Sequence, residues 1–498
     1  MITVFVDDAT EARDARRLKD SAWAQLILYC SSLLINLGET KHNSDIITQG
    51  ERLVRIGLGE SSARDLHPEL HYNLGNALTA QHDLEIRQYQ DVSDAEGVRY
   101  VLMKNRATLR DIRFHFAFAA REGLSGDARG RALCNLANSL DESGRWLEAY
   151  QAYMDALEHD PTNGNAAGNV AQAIWYRVLR RRGQSGHYAA LYEHYRQLAV
   201  SLRQRTVEVA GEAVARRWDA LPVVESEGHL DHVGDTDNAY AQWVRNHRVA
   251  LTVALEGLGS DAERWDDALP EGVSMKDGSA EVPAIYRSLN VLKAEYLVSR
   301  RLAYEGELAL MEGRYLQANS DTGVYVDTMD MSVYGEPSAQ LILAQRSTLD
   351  TLDKIAVAAN DHFGTALKAD SVAFHRFWLE SDQSTLRAGL PTDDMGPGAV
   401  IALAELAYDM NPEGLYPEAK TLRHAGTHRL VNVTHGQATG ATKGAHSTVD
   451  ADALVAATQE SLRVARAAFM YLIDLVHDGE QGGLDETDTL HIPVPTQI

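Results

Sequence analysis

Between Gly130 and Pro161 the chain reads GRALCNLANSLDESGRWLEAYQAYMDALEHDP. Leu133, Leu136, Ala137 and Leu140 fall on one face of a helix, and Gly144 sits at a turn. Ala149, Tyr153 and Ala156 form the facing stripe of a second helix, which Pro161 ends. Large and small residues alternate across the two faces, so the helices can close together. Such a hairpin cannot bury its outer faces alone, so its neighbours must be helical too.

This unit resembles the 34-residue tetratricopeptide repeat. A following unit starts at Asn165, with Val170, Ala171 and Ile174 in the equivalent places. An earlier one begins near Pro68 with Leu74, Gly75 and Leu78. Its second helix is delayed by an insertion and is expected at 107–122. Helices within 11–60 and 186–218 would cap the array. The expected organisation is an N-terminal helical cap at 1–67, TPR-like helical repeats at 68–220 and a connecting region at 221–284. Acids, Gly and Pro accumulate in that connector, with one helix near 238–258.

Helices return over 285–485. They are expected at 286–310, at 338–363 with Leu349, Leu352, Ala356 and Ala359 on one face, and at 398–410. Over 451–477 the stripe Leu462, Ala465, Phe469, Leu472 and Val476 steps by three and four. This spacing implies an antiparallel bundle. The stretch 311–337 reads as loop, with an extended piece at Gly323–Asp327, and 486–498 reads as a tail. With 12 Pro in 498 residues, the predicted class is all-α.

The formal charge of −24 excludes a surface that coats nucleic acid generally, but leaves room for a local basic site. Cys30 and Cys134 lie far apart in helical patterns, with no CxxC pair, which fits a reducing cytoplasm. The first residues lack the basic region of a secretory signal. The uncharged run Ser21–Gly38 is near the lower limit for a membrane span. Gln25, Ser31, Ser32 and Asn36 interrupt it, and a buried helix explains it equally well. No membrane association is expected.

One short pattern carries chemistry. Arg423-His424-Ala425-Gly426-Thr427-His428 places an arginine, a polar ring and a second histidine together. Histidine can move a 2′-hydroxyl proton near neutral pH, and arginine can hold a phosphate. The pattern recurs at Arg110–His115, where Phe114, Phe116 and Phe118 surround the histidine and favour a packed, structural role. The second copy stands apart by its surroundings. From Ala419 to Val449 there is no Asp or Glu, where roughly four would be expected. The same window carries Lys420, Arg423, Arg429 and Lys443, with His424, His428, His435 and His446. A positive island in an acidic chain attracts a phosphate backbone. The bland reading is chance depletion in an Ala/Gly/Thr-rich loop.

On a helix, His424 and His428 would share a face, one turn apart. Gly426 costs about 1 kcal/mol inside a helix, which favours a helix start. The same spacing could hold a metal, with His435 or His446 as a third ligand. The glutamate of a zincin motif is absent, and Arg423 and Arg429 oppose a cation, so no metal or cofactor is expected. There is no glycine-rich phosphate loop, and no interleaving of aromatic and basic residues suggests single-strand stacking.

The segment SDTGVYVDTMDMSVYGEPSAQLILAQRSTLDTLDKIAVAANDHF, then FHRFW, then NPEGLYPEAKTLRHAGTH, is similar in order to one branch of the HEPN-domain family. In that prokaryotic branch the helical bundle is fused to an N-terminal tetratricopeptide region. The resemblance covers about 285–480 and turns the predicted bundle into a HEPN-like one. It implies metal-independent RNA cleavage. His428 would take part in activating the 2′-hydroxyl, Arg423 would contact the scissile phosphate, and His424 would be the polar residue between them. The product would be a 2′,3′-cyclic phosphate. Lys420, Arg429 and Lys443 would bind RNA. A homodimer bringing two sites together is implied, with an unknown protein or peptide trigger at the repeats. A role in anti-phage defence or as a toxin follows from the same resemblance. His at 424 departs from the commoner Asn, and Gly426 is unusual in a helix. Some members are catalytically silent, which leaves a non-catalytic scaffold or regulator as the alternative.

Overall fold

The structure is a computed structural model. It describes residues 10–14, 18–90, 92–121, 123–180, 185–224, 238–252, 266, 268–270, 272–276, 283–313, 325–393, 396–417, 430–436, 440–443, 446–482 and 489–493. The fold is all-α, as predicted, with two small sheets among the described residues. The chain divides into two compact units. The first comprises 1–173, 192–223 and 394–397, and the second 174–191, 224–393 and 398–498.

The first unit begins with helices α1 (Asp20–Lys41) and α2 (Ser44–Leu58). Helix α1 is long and apolar enough to cross a membrane by length and composition. Trp23, Ala24, Ile27, Cys30, Leu34 and Ile35 nevertheless line its buried face. Helix α3 (His67–Gln90) follows, then the inserted α4 (Ala95–Lys104) and α5 (Arg106–Arg121). Helix α5 is the delayed second helix of the first hairpin. A Cβ on Gly75 of α3 would lie 2.7 Å from the Phe116 ring of α5. The missing side chain therefore lets the two helices approach.

Helices α6 (Gly126–Glu142) and α7 (Trp146–His159) form the hairpin read from 130–161. Gly144 turns it with φ +73°, a conformation open mainly to glycine. Arg145 and Glu148 close a buried pair just after the turn, at 2.6 Å. Helix α8 (Gly164–Leu179) starts in the first unit and ends in the second, and α9 (Ser185–Ser201) runs back. Helices α10 (Arg203–Ala210) and α11 (Glu212–Asp219) complete the first unit, with Trp218 buried against Ala167 and Ala199.

In the second unit α12 (Ala239–Asn246) is shorter than the helix predicted near 238–258. Residues 248–252 lie beyond the helix, where arginines take up their carbonyls. Arg466 donates to the carbonyls of Arg248, Ala250 and Thr252, and Arg300 donates to that of Val249. The connector and the tail also contain strands. Strand β1 (Gly272–Lys276) pairs antiparallel with β5 (Thr489–Pro493).

The bundle is built from α13 (Ala284–Met311), α14 (Glu336–Phe363), the short α15 (Phe374–Phe377), α16 (Gly398–Asp409) and α17 (Ala451–Gly482). Apart from α15, which was not predicted, their bounds lie close to the predicted spans because long apolar stripes mark buried faces. Leu349, Leu352, Ala356 and Ala359 are buried on α14, and Leu462, Ala465, Phe469, Leu472 and Val476 on α17. Burial of such stripes contributes about 25 cal/mol per Å² of apolar surface.

The described part of the acid-free window is mainly strand. Strands β2 (Leu430–Thr434), β3 (Gly440–Lys443) and β4 (His446–Asp450) form a sheet in the order β2-β4-β3. β2 runs parallel to β4, and β3 antiparallel to it. Val431, Val433, Thr434, Thr448 and Val449 are β-branched residues that favour a pleated surface. The predicted loop before α14 adds an extended edge. Ser332 bridges Thr434, and the Val333 amide donates to the Val433 carbonyl at 2.7 Å. Val333, Val433 and Val449 pack with Leu310, Leu341 and Leu454, which anchors the sheet to α13, α14 and α17.

Candidate active site

Arg423, His424 and His428 lie outside the described residues, as do Lys420 and Arg429. Lys443 is the last residue of β3, where its backbone pairs with His446 of β4. The structure describes how the chain reaches and leaves this segment. Helix α16 runs into it and β2 runs out of it.

The approach is tightly set. Buried Val400, Ile401, Leu403 and Leu406 seat α16 in the bundle, and Asp478 of α17 accepts the Ala399 amide at 3.2 Å. After Asp409 the chain doubles back. Gly414 donates to the Asn411 carbonyl at 2.9 Å, and Tyr416 to the Asp409 carbonyl at 3.0 Å. A Cβ on Gly414 would lie 2.2 Å from that Asp409 carbonyl oxygen, so the turn requires glycine. Glu405 and Asp409 are buried acids on the same helix, 1% and 0% exposed.

The exit is tied down by backbone pairing. Leu430, the first residue of β2, aligns with His446. His435 follows the strand and donates its amide to the Met331 carbonyl at 3.2 Å. Asp450 then accepts the Gly436 amide at 2.9 Å with one oxygen and caps α17 through the Asp452 amide at 3.0 Å with the other. The three strands thus hold both His435 and the helix start that follows. Among the described residues no group of three His, Cys, Asp or Glu is placed to hold a metal ion.

The other copy of the pattern has a packed setting in the first unit. His115 of α5 faces His71 of α3, Nδ1 to Nδ1 at 2.8 Å. Phe118 lies 4.0 Å from the His71 ring, and Phe114 lies 5.4 Å from the His115 ring. Burial pushes both imidazoles down to about 4, His115 (with Arg55) and His71 (with His115 and His67), so both are neutral at pH 7. Neutral rings sharing one hydrogen bond are a packing device here. Arg110 is occupied locally, 3.6 Å from Asp111.

Comparison with known proteins bears on the second unit. Residues 276–479 match the family model of the LA2681-like HEPN domain. The match supports a HEPN-domain family. It takes in α13 to α16, the sheet and most of α17, with the Arg423–His428 segment inside it. At the family level a HEPN domain points to nuclease-type activity on RNA. No curated protein matches the chain. No solved structure matches it either.

Proposed function

We propose that the HEPN-type region is a metal-independent endoribonuclease. The observation that carries this reading is the family match, which encloses the acid-free window and its Arg423–His428 pattern. Arg423 holds the scissile phosphate and offsets the charge that develops on its oxygens. His428 takes the proton from the 2′-hydroxyl, with His424 beside it as a polar partner. The 2′-oxygen bonds to phosphorus as the bond to the 5′-oxygen breaks. The 5′-oxygen receives a proton and leaves, and a 2′,3′-cyclic phosphate remains. Lys420, Arg429 and Lys443 neutralise neighbouring phosphates.

A homodimer brings two such sites together. The helical repeats of the first unit act as a TPR-like sensor for a protein or peptide trigger, in the cytoplasm and in anti-phage defence or as a toxin. Stacked hairpins support this, because they offer extended surfaces that bind peptides.

The test is cleavage of RNA by purified protein in EDTA, with end-group analysis for the cyclic phosphate. Activity that survives chelation and disappears in Arg423→Ala and His428→Ala supports the reading. Cleavage that persists in the double variant overturns it, and activity lost on chelation points to a metal instead. A protein silent under every trigger tried is a scaffold or regulator.

A further inference from the structure

Helix α12 docks on the second unit through Ala241 and Val244, both fully buried. Its other stripe carries Tyr240 and Trp243, continued by His247 just past the helix, all partly buried. Tyr304 of α13 completes the group, also partly buried. The Tyr240 and Trp243 rings lie 11° from parallel with centroids 6.4 Å apart. Tyr304 stands 5.0 Å from Tyr240 and 5.6 Å from Trp243. Exposed Arg301 lies over the Tyr240 ring, 3.7 Å from its centroid.

The rings are held in place rather than loosely displayed. Arg300 donates to the Tyr240 hydroxyl at 3.0 Å. Trp243 Nε1 donates to Glu307 at 3.1 Å, and Gln459 donates to the same carboxylate oxygen at 2.8 Å. Glu307 is therefore engaged by two donors. His247 feels both Glu307, 3.8 Å away, and Arg463, while burial chiefly pushes its imidazole down. Arg300 is paired with Asp266, but rigid aromatic rings beside exposed Arg301 suit an anionic polymer with flat, polarisable groups.

We infer that Tyr240, Trp243 and Tyr304, with Arg301, form a stacking platform for the bases of single-stranded RNA. The inference rests on the RNA-cleaving reading above and adds a substrate-binding site to it, in the same unit. Stacking needs no sequence match, because every base has a π-face, and arginine supplies both cation–π contact and phosphate attraction. Loops and single strands are the RNA forms whose bases are free to stack this way.

The test uses the full chain and a short fluorescein-labelled 2′-O-methyl oligoadenylate, which cannot be cleaved through its blocked 2′-position. Anisotropy reads binding. Tyr304→Leu and Arg301→Gln should each weaken it, the former by about tenfold, while Tyr304→Phe retains it. An abasic strand of equal length should bind the unaltered protein at least about tenfold more weakly than the base-bearing strand does. This comparison decides the matter even if a variant misfolds. No binding by the unaltered protein, equal binding by the folded variants or equal binding of the abasic strand overturns the platform. Cleavage of ordinary RNA without such binding sinks the platform alone. Base-dependent binding without cleavage under any condition sinks the nuclease reading alone.

Discussion

Arg177 and Asp474 form a two-bonded ion pair inside the second unit, Nη1 to Oδ2 at 2.8 Å and Nη2 to Oδ1 at 3.0 Å. Their side chains are 7% and 4% exposed. Removing one partner strands the other charge away from water. Asp474→Ala should therefore cost about 3–5 kcal/mol, measured by urea denaturation. Replacing both with apolar residues of similar volume should cost much less than the sum of the two single changes. A purely additive result would deny the pair any coupling.

The turn before the candidate motif should be equally intolerant. Gly414→Ala places a methyl group against the Asp409 carbonyl oxygen, 2.2 Å away with the backbone unmoved. The expected loss is about 1–3 kcal/mol, read as a lower denaturation midpoint. Because this turn delivers the chain to Arg423, RNA cleavage should fall with it. An unchanged midpoint would show that the turn opens freely.

The His71–His115 contact predicts a pH dependence. Burial lowers both folded-state values to about 4, while the unfolded chain takes up these protons near pH 6.5. The unfolded state therefore binds more protons between those values, and stability falls as pH drops from about 6.5 towards 4. In the double variant His71→Gln/His115→Gln the decline in thermal midpoint across that range should be shallower. Parallel curves for the two proteins would refute the assignment.

Lys443 gives a test of the proposed RNA contacts that does not depend on turnover. If it neutralises one phosphate, Lys443→Gln should reduce the slope of log affinity against log salt by about 0.7, the single-strand value. The thermal midpoint should stay unchanged. A lower midpoint with the slope intact would mark Lys443 as structural.

His428→Ala should lower cleavage by about 10²–10⁴-fold with the fold preserved, the usual range for removing a general base. Equal loss from His115→Ala, with stability intact, would shift attention to the first unit.

Much of the helical framework was legible in the order of residues. The stripes at Leu462, Ala465, Phe469, Leu472 and Val476, and the Gly144 turn between two apolar faces, mark helices because their period matches 3.6 residues per turn. The acid-free window from Ala419 to Val449 was equally plain, since composition needs no folding to be read. Tertiary structure decided what these elements meet. Short strands such as β2 and β4 carry little periodic signal, and their parallel pairing depends on partners that lie apart in the chain. The grouping of Tyr240, Trp243 and Tyr304 could not be read from residue order, because its rings come from two helices some sixty positions apart. Local order sets which face of each helix is apolar; only packing sets which rings and charges come within a few ångströms of each other.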